Sequence, residues 1–332
     1  VALSFHPLRV AAVERIAEEA ACVTLEVPPA LREQFKFAAG QYLTVRRSIA
    51  GRNELRTYSI VTPPGRGVLK LGVREQLGGC MSGELVQRIV PGDVLDIGTP
   101  NGRFRTALDP ARSRRYVAFA AGSGITPVLS LATDILERES KSRLTLIYGN
   151  RSSARTMFLE EILALKNRFL GRFAVHFVMS REPQHAALMN GRIDAAKVQD
   201  LAREFDEIGS ADEYFVCGPT DMAEAVKSAL TRLNPHATLR LERFATAPRP
   251  EATGAAPAAS WPGKGALPAR ELLARISVVM DEHRCIRARG GRAGGAAITV
   301  LVSLRNLCNV SGEDRDRRRS HGSQHCARAL GD

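Results

Sequence analysis

Between Arg114 and Phe244, five short apolar runs alternate with helical stretches: YVAFAA, LTLIYG, AVHFVM, EYFVC and TLRLERF. No other feature of the chain restricts its fold as much. The helix from Pro127 sets Val128, Leu129, Ala132, Ile135 and Leu136 on one face, and the helix after Pro219 does the same with Met222, Val226, Leu230 and Leu233. Each therefore carries one apolar stripe that must be covered. Strands that alternate with amphipathic helices build a parallel sheet covered on both sides. The pattern predicts a Rossmann-like α/β domain over 111–245, ending near Phe244.

The preceding residues read differently. CVTLEV, QYLTV, YSIV, LKLGV and VLDIG are short apolar runs separated by Gly, Pro and charged turns. That spacing favours a small antiparallel barrel over 1–110, expected to be six-stranded. One helix interrupts it, SGELVQRIV, with Ser82 as its expected N-cap and Pro91–Gly92 as its stop.

The chain has 332 residues, 44% hydrophobic and 25% charged, enough for two domains of ordinary size. No stretch approaches the roughly 20 apolar residues of a membrane span. The opening VALSFHPLRV lacks the features of a secretory signal, so a cytoplasmic location is the default expectation. The start at Val1 leaves room for processing or truncation. The net charge of +12 raises nucleic acid as a partner. A sizeable share of that charge sits after Cys285, where nine Arg face four acidic residues. Aromatics make up 5% and show no interleaving with basic residues, so nucleic acid is not expected. The six cysteines are widely spaced without a C-x-x-C pair, which argues against a disulfide framework.

Residues 246–268, rich in Pro, Ala and Gly, read as an extended, mobile linker. ARISVVMDEHR then begins like a strand and turn. From Cys285 the chain is Arg-, Gly- and Ser-rich with one apolar run, too little for a third core, so 269–332 is expected to be poorly structured.

Four segments carry chemistry. In RTYSIVTPPG, positions 56–65, Arg56 and Tyr58 fall on one face of a strand that breaks at Pro63, Pro64 and Gly65. A cation beside a flat ring suits a ligand with an anionic group and a ring system; a half-exposed edge strand is the bland alternative. In AAGSGITPV, a strand runs into Gly122, Ser123 and Gly124, with Thr126 as expected N-cap and Pro127 in the first turn. A helix start of this kind offers free N–H groups to a phosphate, though a plain tight turn reads almost equally well. YFVCGPTDM repeats the device at Cys217, Gly218 and Pro219, at a strand C-terminus where open parallel sheets bind ligands. Cys217 alone also fits a small buried residue. GGCMSGEL adds Gly79, Cys80, Met81 and Ser82 as a further anion site, or simply a surface loop.

Taken in order, R-T-Y-S, G-G-C-M-S, G-S-G-I-T-P and C-G-P resemble the ferredoxin–NADP reductase superfamily over roughly residues 5–245. AAGSGITP, LTLIYGNR, NGRID and the LERF ending further resemble the reductase subunits of phenylacetyl-CoA epoxidase complexes, which serve phenylacetate catabolism. The resemblance implies an NAD(P)H-dependent flavoprotein that passes hydride from NADPH to FAD and electrons onward to an oxygenase complex. It implies that Arg56 pairs with the flavin pyrophosphate, Tyr58 stacks on the isoalloxazine and Ser59 bonds near flavin N5. Ser59 lies on the opposite face from Tyr58 in a regular strand, so the strand must bend or end there. Gly79, Cys80, Met81 and Ser82 would hold the pyrophosphate, and Val73 and Arg74 would line the ribose and adenine side. Gly122, Ser123, Gly124, Thr126 and Pro127 would receive the NADP pyrophosphate and ribose. Cys217, Gly218 and Pro219 would lie beside the nicotinamide, with Ser59 and Cys217 closest to the chemistry. Glu242 and Phe244 would close the flavin site, or else form an ordinary contact at a domain end. Asn150 and Arg151 follow the second parallel strand, where the adenosine ribose sits in related proteins. Arg151, with Ser180 and Arg181, offers positive charge to a 2′-phosphate, and no acidic residue directly follows that strand to claim a 2′-hydroxyl. NADPH is therefore favoured over NADH.

The subfamily ends in a 2Fe–2S ferredoxin module, which needs C-x4-C-x2-C and a distant fourth Cys. Cys285, Cys308 and Cys326 are 23 and 18 residues apart, so the cluster ligands are absent and no metal is expected. A shifted reading frame in a GC-rich gene would give such a tail; a tail that recruits an acidic partner is the rival. In that second reading the chain is a docking component without catalysis.

Overall fold

The structure, a computed structural model, describes residues 4–244. The expectations for the linker at 246–268 and for the segment 269–332 fall outside the described residues.

The first part is an antiparallel sheet of β1 (Phe5–Ala17), β2 (Ala20–Glu26), β3 (Tyr42–Ile49), β4 (Arg52–Ser59), β5 (Val68–Arg74) and, after the short helix α1 (Cys80–Gly83), β6 (Val94–Gly98). The order is β4-β3-β6-β1-β2-β5. The outer strands meet through an Ile60–Leu71 bridge and a bond from Val61 N to Lys70 O of 2.9 Å, which brings the sheet round into the expected barrel. Inside lie Leu8, Val10, Val23, Leu25, Leu43, Val45, Leu69, Leu71 and Val73, all buried. No named run anticipated β1, whose register with β6 includes Pro7 and Arg9.

The second part is parallel throughout. It runs β7 (Arg115–Ala121), α2 (Ile125–Arg138), β8 (Arg143–Asn150), α3 (Leu159–Arg168), β9 (Phe173–Met179), α4 (Ala195–Glu204), α5 (Asp206–Gly209), β10 (Glu213–Pro219), α6 (Thr220–Leu233) and β11 (Thr238–Phe244). The strand order is β11-β10-β7-β8-β9. Every residue placed on the α2 face is buried. On α6, Met222, Val226 and Leu230 are buried, but Leu233 is 42% exposed because the helix ends there.

One apolar cluster runs through both parts. Alternation along β2 turns Ala21, Val23 and Leu25 into the barrel and Ala20 and Cys22 outward. The outward pair joins Ala39, Val61 and Phe104 against Ile125, Leu129, Leu131 and Met157 of the parallel domain. Ser130 Oγ donates to Thr62 O across this contact at 2.9 Å.

Both expected N-caps are displaced. α1 starts two residues before Ser82, with Gly79 as its cap. Ser82 Oγ instead donates to Gly79 O at 3.1 Å and accepts from Gln76 N at 2.9 Å, bracing the loop. A 3-10 turn over Gly122–Gly124 leads directly into α2, so Thr126 is the second residue of the helix. Its hydroxyl donates to Ser123 O at 2.9 Å. Pro127 sits in the first turn, where no N–H is required.

Candidate functional site

On the barrel side, β4 delivers Arg56, Tyr58 and Ser59 beside α1. Arg56 is 57% exposed and ion-paired with Glu54 at 3.0 Å. Burial pushes the Tyr58 phenol well above its ordinary range, so it stays protonated. Ser59 is the last residue of β4, and its buried side chain turns away from the face shared by Arg56 and Tyr58. Gly78, at φ +74°, reverses the chain before α1. The amides of Cys80, Met81 and Ser82 open this helix and find no backbone acceptor among the described residues. The Met81 side chain packs in the barrel core, so only its backbone faces a ligand. Cys80 is exposed.

Val73 likewise points into the barrel. Arg74 leaves the barrel altogether and donates to Arg155 O in the loop after β8. Burial lowers its pKa, and its Nε has no partner among the described residues. These two neighbours on β5 thus turn their side chains in different directions.

On the parallel side, the candidate residues gather at strand C-termini. Gly122, at φ +54°, leaves open space where a Cβ would stand. Gly124 has none: a Cβ there would lie 2.1 Å from Cys217 O, so only glycine lets α2 start against β10. Cys217 pairs in register with Glu242 of β11, and Gly218 and Pro219 follow beside Arg243 and Phe244. Cys217 is fully buried; desolvation first, and the Glu242 charge second, push its thiol far up. Burial raises the Glu242 carboxyl to about 7, and its Oε2 has no partner among the described residues. Phe244 packs against the cluster that joins the two parts.

Asn150 ends β8 with a buried Nδ2 that has no partner among the described residues. Arg151 follows, and the backbone bonds Ser180 N to Asn150 O and Arg181 N to Arg151 O, both 2.9 Å, bring the two loops together. Burial first, then Arg155, Arg181 and Arg192, lower the Arg151 pKa, which marks a cluster of like charge. A cleft of about 280 Å³ lined by Ser180, Arg181, Asn190 and Gly191 lies beside it. A larger one, about 350 Å³, opens at the other end of the sheet near Arg115 and Arg143, away from these residues.

Sequence reasoning missed the braces. Glu182 accepts from Ser153 N at 2.7 Å and Ser153 Oγ at 2.6 Å, holding the loop after Arg151. Arg155 pairs with Glu19 in the β1–β2 turn. Tyr148 Oη donates to Gly122 O at 2.9 Å. None of these pairs is near in sequence, and no local motif marks them.

Comparison with known proteins agrees with this arrangement. Residues 7–106 match the oxidoreductase FAD-binding domain family and residues 119–228 the oxidoreductase NAD-binding domain family. One component of the 1,2-phenylacetyl-CoA epoxidase of Escherichia coli is 37% identical over 244 residues, covering 73% of this chain and 68% of that one. The ferredoxin reductase component of the Rhodococcus rhodochrous 3-ketosteroid-9-alpha-monooxygenase is 29% identical over 242 residues, 71% of this chain and 64% of its own length. The chain thus spans about two thirds of these curated relatives. In fold it is similar to a ferredoxin NADP+ reductase from Neisseria gonorrhoeae with bound FAD and NADP, with a TM-score of 0.60, 18% identity, and coverage of 72% of this chain and 98% of that one. The chain belongs to the ferredoxin–NADP reductase family, an FAD-binding domain followed by an NAD-binding domain that moves electrons from NAD(P)H by way of FAD.

Proposed function

We propose that this protein is the NADPH-dependent flavoprotein reductase of an oxygenase system, with domains divided near residue 110. The observation that carries the reading is the pattern of unsatisfied polar atoms. Among the described residues, Arg74 Nε, Asn150 Nδ2 and Arg155 Nε are buried donors without partners, and Glu242 Oε2 is a buried acceptor without one. Buried polar groups are nearly always hydrogen-bonded, so such a set fits a ligand with anionic groups and an N–H donor. The open amides at Cys80–Ser82 and the clear space at Gly122 fit phosphates in the same way.

Bound FAD would supply the redox chemistry, taking hydride from a nicotinamide and releasing electrons singly. The chain's part is to bind and orient. The exposed Arg56–Glu54 pair is weakly held, so Arg56 is available to a pyrophosphate in bidentate geometry. Tyr58, kept neutral by burial, offers its face to the flavin ring. Ser59 offers a hydroxyl at the strand end. Cys217, neutral and fully enclosed, fixes by packing the strand end from which Gly218 and Pro219 reach the nicotinamide side. Glu242 holds a proton at its carboxyl up to about pH 7. Gly122–Thr126 and the Arg151 cluster take the pyrophosphate and 2′-phosphate of NADPH. The similarity to components of an epoxidase and of a monooxygenase supports an oxygenase as the acceptor.

The test is spectroscopic. The purified protein should be yellow, release FAD on denaturation, and bleach when NADPH is added without oxygen. A protein that takes up no FAD when reconstituted would end this reading.

A further inference from the structure

Phe158 is the residue before α3 and adopts a left-handed conformation, φ +58° and ψ +33°. A bulky residue there is strained, so the surrounding structure must hold it. Its ring is 2% exposed and lies on the barrel. A Cβ built on Gly72 of β5 would stand 2.6 Å from Phe158 Cε2, 2.8 Å from Cζ, and 2.6 Å from Thr126 Cγ2. The ring and the threonine methyl therefore rest together on the bare backbone of β5. Gly72 pairs with Cys22, and with Ala20 these small residues make the barrel's outer face there.

The contact reaches the candidate site from both directions. Thr126 Oγ1 donates to Ser123 O, within the turn that carries Gly122 and Gly124. Tyr148 Oη bonds Gly122 O at 2.9 Å and lies 3.4 Å from the O of Met157, the neighbour of Phe158. On the barrel side, β5 runs on through Arg74 toward the amides at Cys80–Ser82.

We propose that Phe158 and Gly72 form a spacer that sets the height of the Gly122–Thr126 turn above the barrel, and so act as positioning residues for transfer between nicotinamide and flavin. This rests on the functional reading above. An added methyl at position 72 would stand within 3 Å of the Phe158 ring and the Thr126 methyl, so these side chains must move away from β5, and the turn that carries Thr126 is displaced with them. Transfer between two stacked rings depends steeply on their separation, and displacements near 1 Å can cost about a hundredfold in rate.

The experiment uses the full chain with FAD and three variants: Gly72→Ala, Phe158→Leu and the double substitution. Flavin reduction at saturating NADPH, the Kd for NADP+, the long-wavelength charge-transfer absorbance of reduced protein with NADP+, and the thermal midpoint are measured. Gly72→Ala should keep FAD and hold the Kd within about threefold, while the reduction rate falls about tenfold or more and the charge-transfer band weakens. Phe158→Leu in that background removes the ring's share of the crowding but not that of Thr126 Cγ2, and should restore both in part. An unchanged rate and band in Gly72→Ala overturns the spacer. So does a double variant that recovers its midpoint but neither the band nor the rate. Should Gly72→Ala fail to hold FAD, Phe158→Leu alone decides: a weakened band at unchanged Kd supports the spacer, and an unchanged band overturns it. A wild-type protein that neither holds FAD nor bleaches with NADPH defeats the functional reading itself, whereas a bleachable wild type with an unaffected variant defeats only the spacer.

Discussion

Glu242 is the residue whose environment departs furthest from its ordinary chemistry while still titrating in an accessible range. Its carboxyl is raised from 4.5 to about 7 by burial, with no cation or donor among the described residues offsetting it. Between those values the native state keeps a proton that the unfolded chain has released, so stability falls as pH rises. Its contribution is fully present below about pH 4.5 and lost above about pH 7. Glu242→Gln removes the charge, so the variant should be more stable than wild type at pH 8, by at most about 3 kcal/mol, with the difference vanishing near pH 4.5. Thermal midpoints of both proteins across this range measure it, and a constant difference would show that Glu242 does not titrate there. Arg151 makes a different prediction, because only the 2′-phosphate distinguishes NADPH from NADH. A lost charged hydrogen bond costs about 1.5–3 kcal/mol. Arg151→Ala should therefore raise the KM for NADPH by roughly tenfold or more and leave that for NADH nearly unchanged. An equal loss with both nucleotides would assign the selectivity to other members of the cluster.

The elements that sequence revealed are those whose burial is simple. β7, β8 and β10 are covered on both sides, so they read as unbroken apolar runs. β1 is hidden because it is half exposed, carries Pro7, Arg9, Glu14 and Arg15, and alternates only in its first half. The helix starts were misplaced for one shared reason. Ser82 and Thr126 each turn a hydroxyl back to a carbonyl three residues earlier, and glycines supply the caps instead. Residue types compatible with a cap cannot distinguish those two uses. The same division holds at the site. RTYS and GSGITP are local: the first closes β4, and the second follows β7 and opens α2. The Phe158–Gly72 contact, the Arg155–Glu19 pair and the burial of Arg74 Nε are products of tertiary packing between distant segments. Nothing in the sequence around Phe158 announces a phenylalanine at positive φ.

At the scale of the molecule, the decisive property is that the barrel and the parallel domain share one apolar cluster. Residues from Ala20 to Phe104 pack with residues from Tyr116 to Cys217 in a single buried cluster. The contact also buries Ser130, whose hydroxyl bonds Thr62 O across it, and it is edged by the Arg66–Glu137 pair at 2.6 Å. Domains that meet through a small polar interface can unfold separately; a large apolar one couples them. Every candidate residue of the site lies between Arg56 and Phe244, so a chain ending at residue 268 should keep FAD and reduce ferricyanide with NADPH within about a factor of two of the full chain, a barrier change below roughly 0.5 kcal/mol. Calorimetry of that shorter chain should show one transition, with calorimetric and van't Hoff enthalpies in agreement. Ser130→Ala removes a buried bond worth about 1 kcal/mol and leaves Thr62 O unpaired. If the coupling is real, this substitution lowers the single midpoint by about 2–4 °C without splitting it. Two resolved transitions, or a midpoint shift confined to one of them, would show that the barrel and the parallel domain stand independently. Their relative placement, and with it the meeting of the two rings, would then have to be set by the cofactors rather than by the fold.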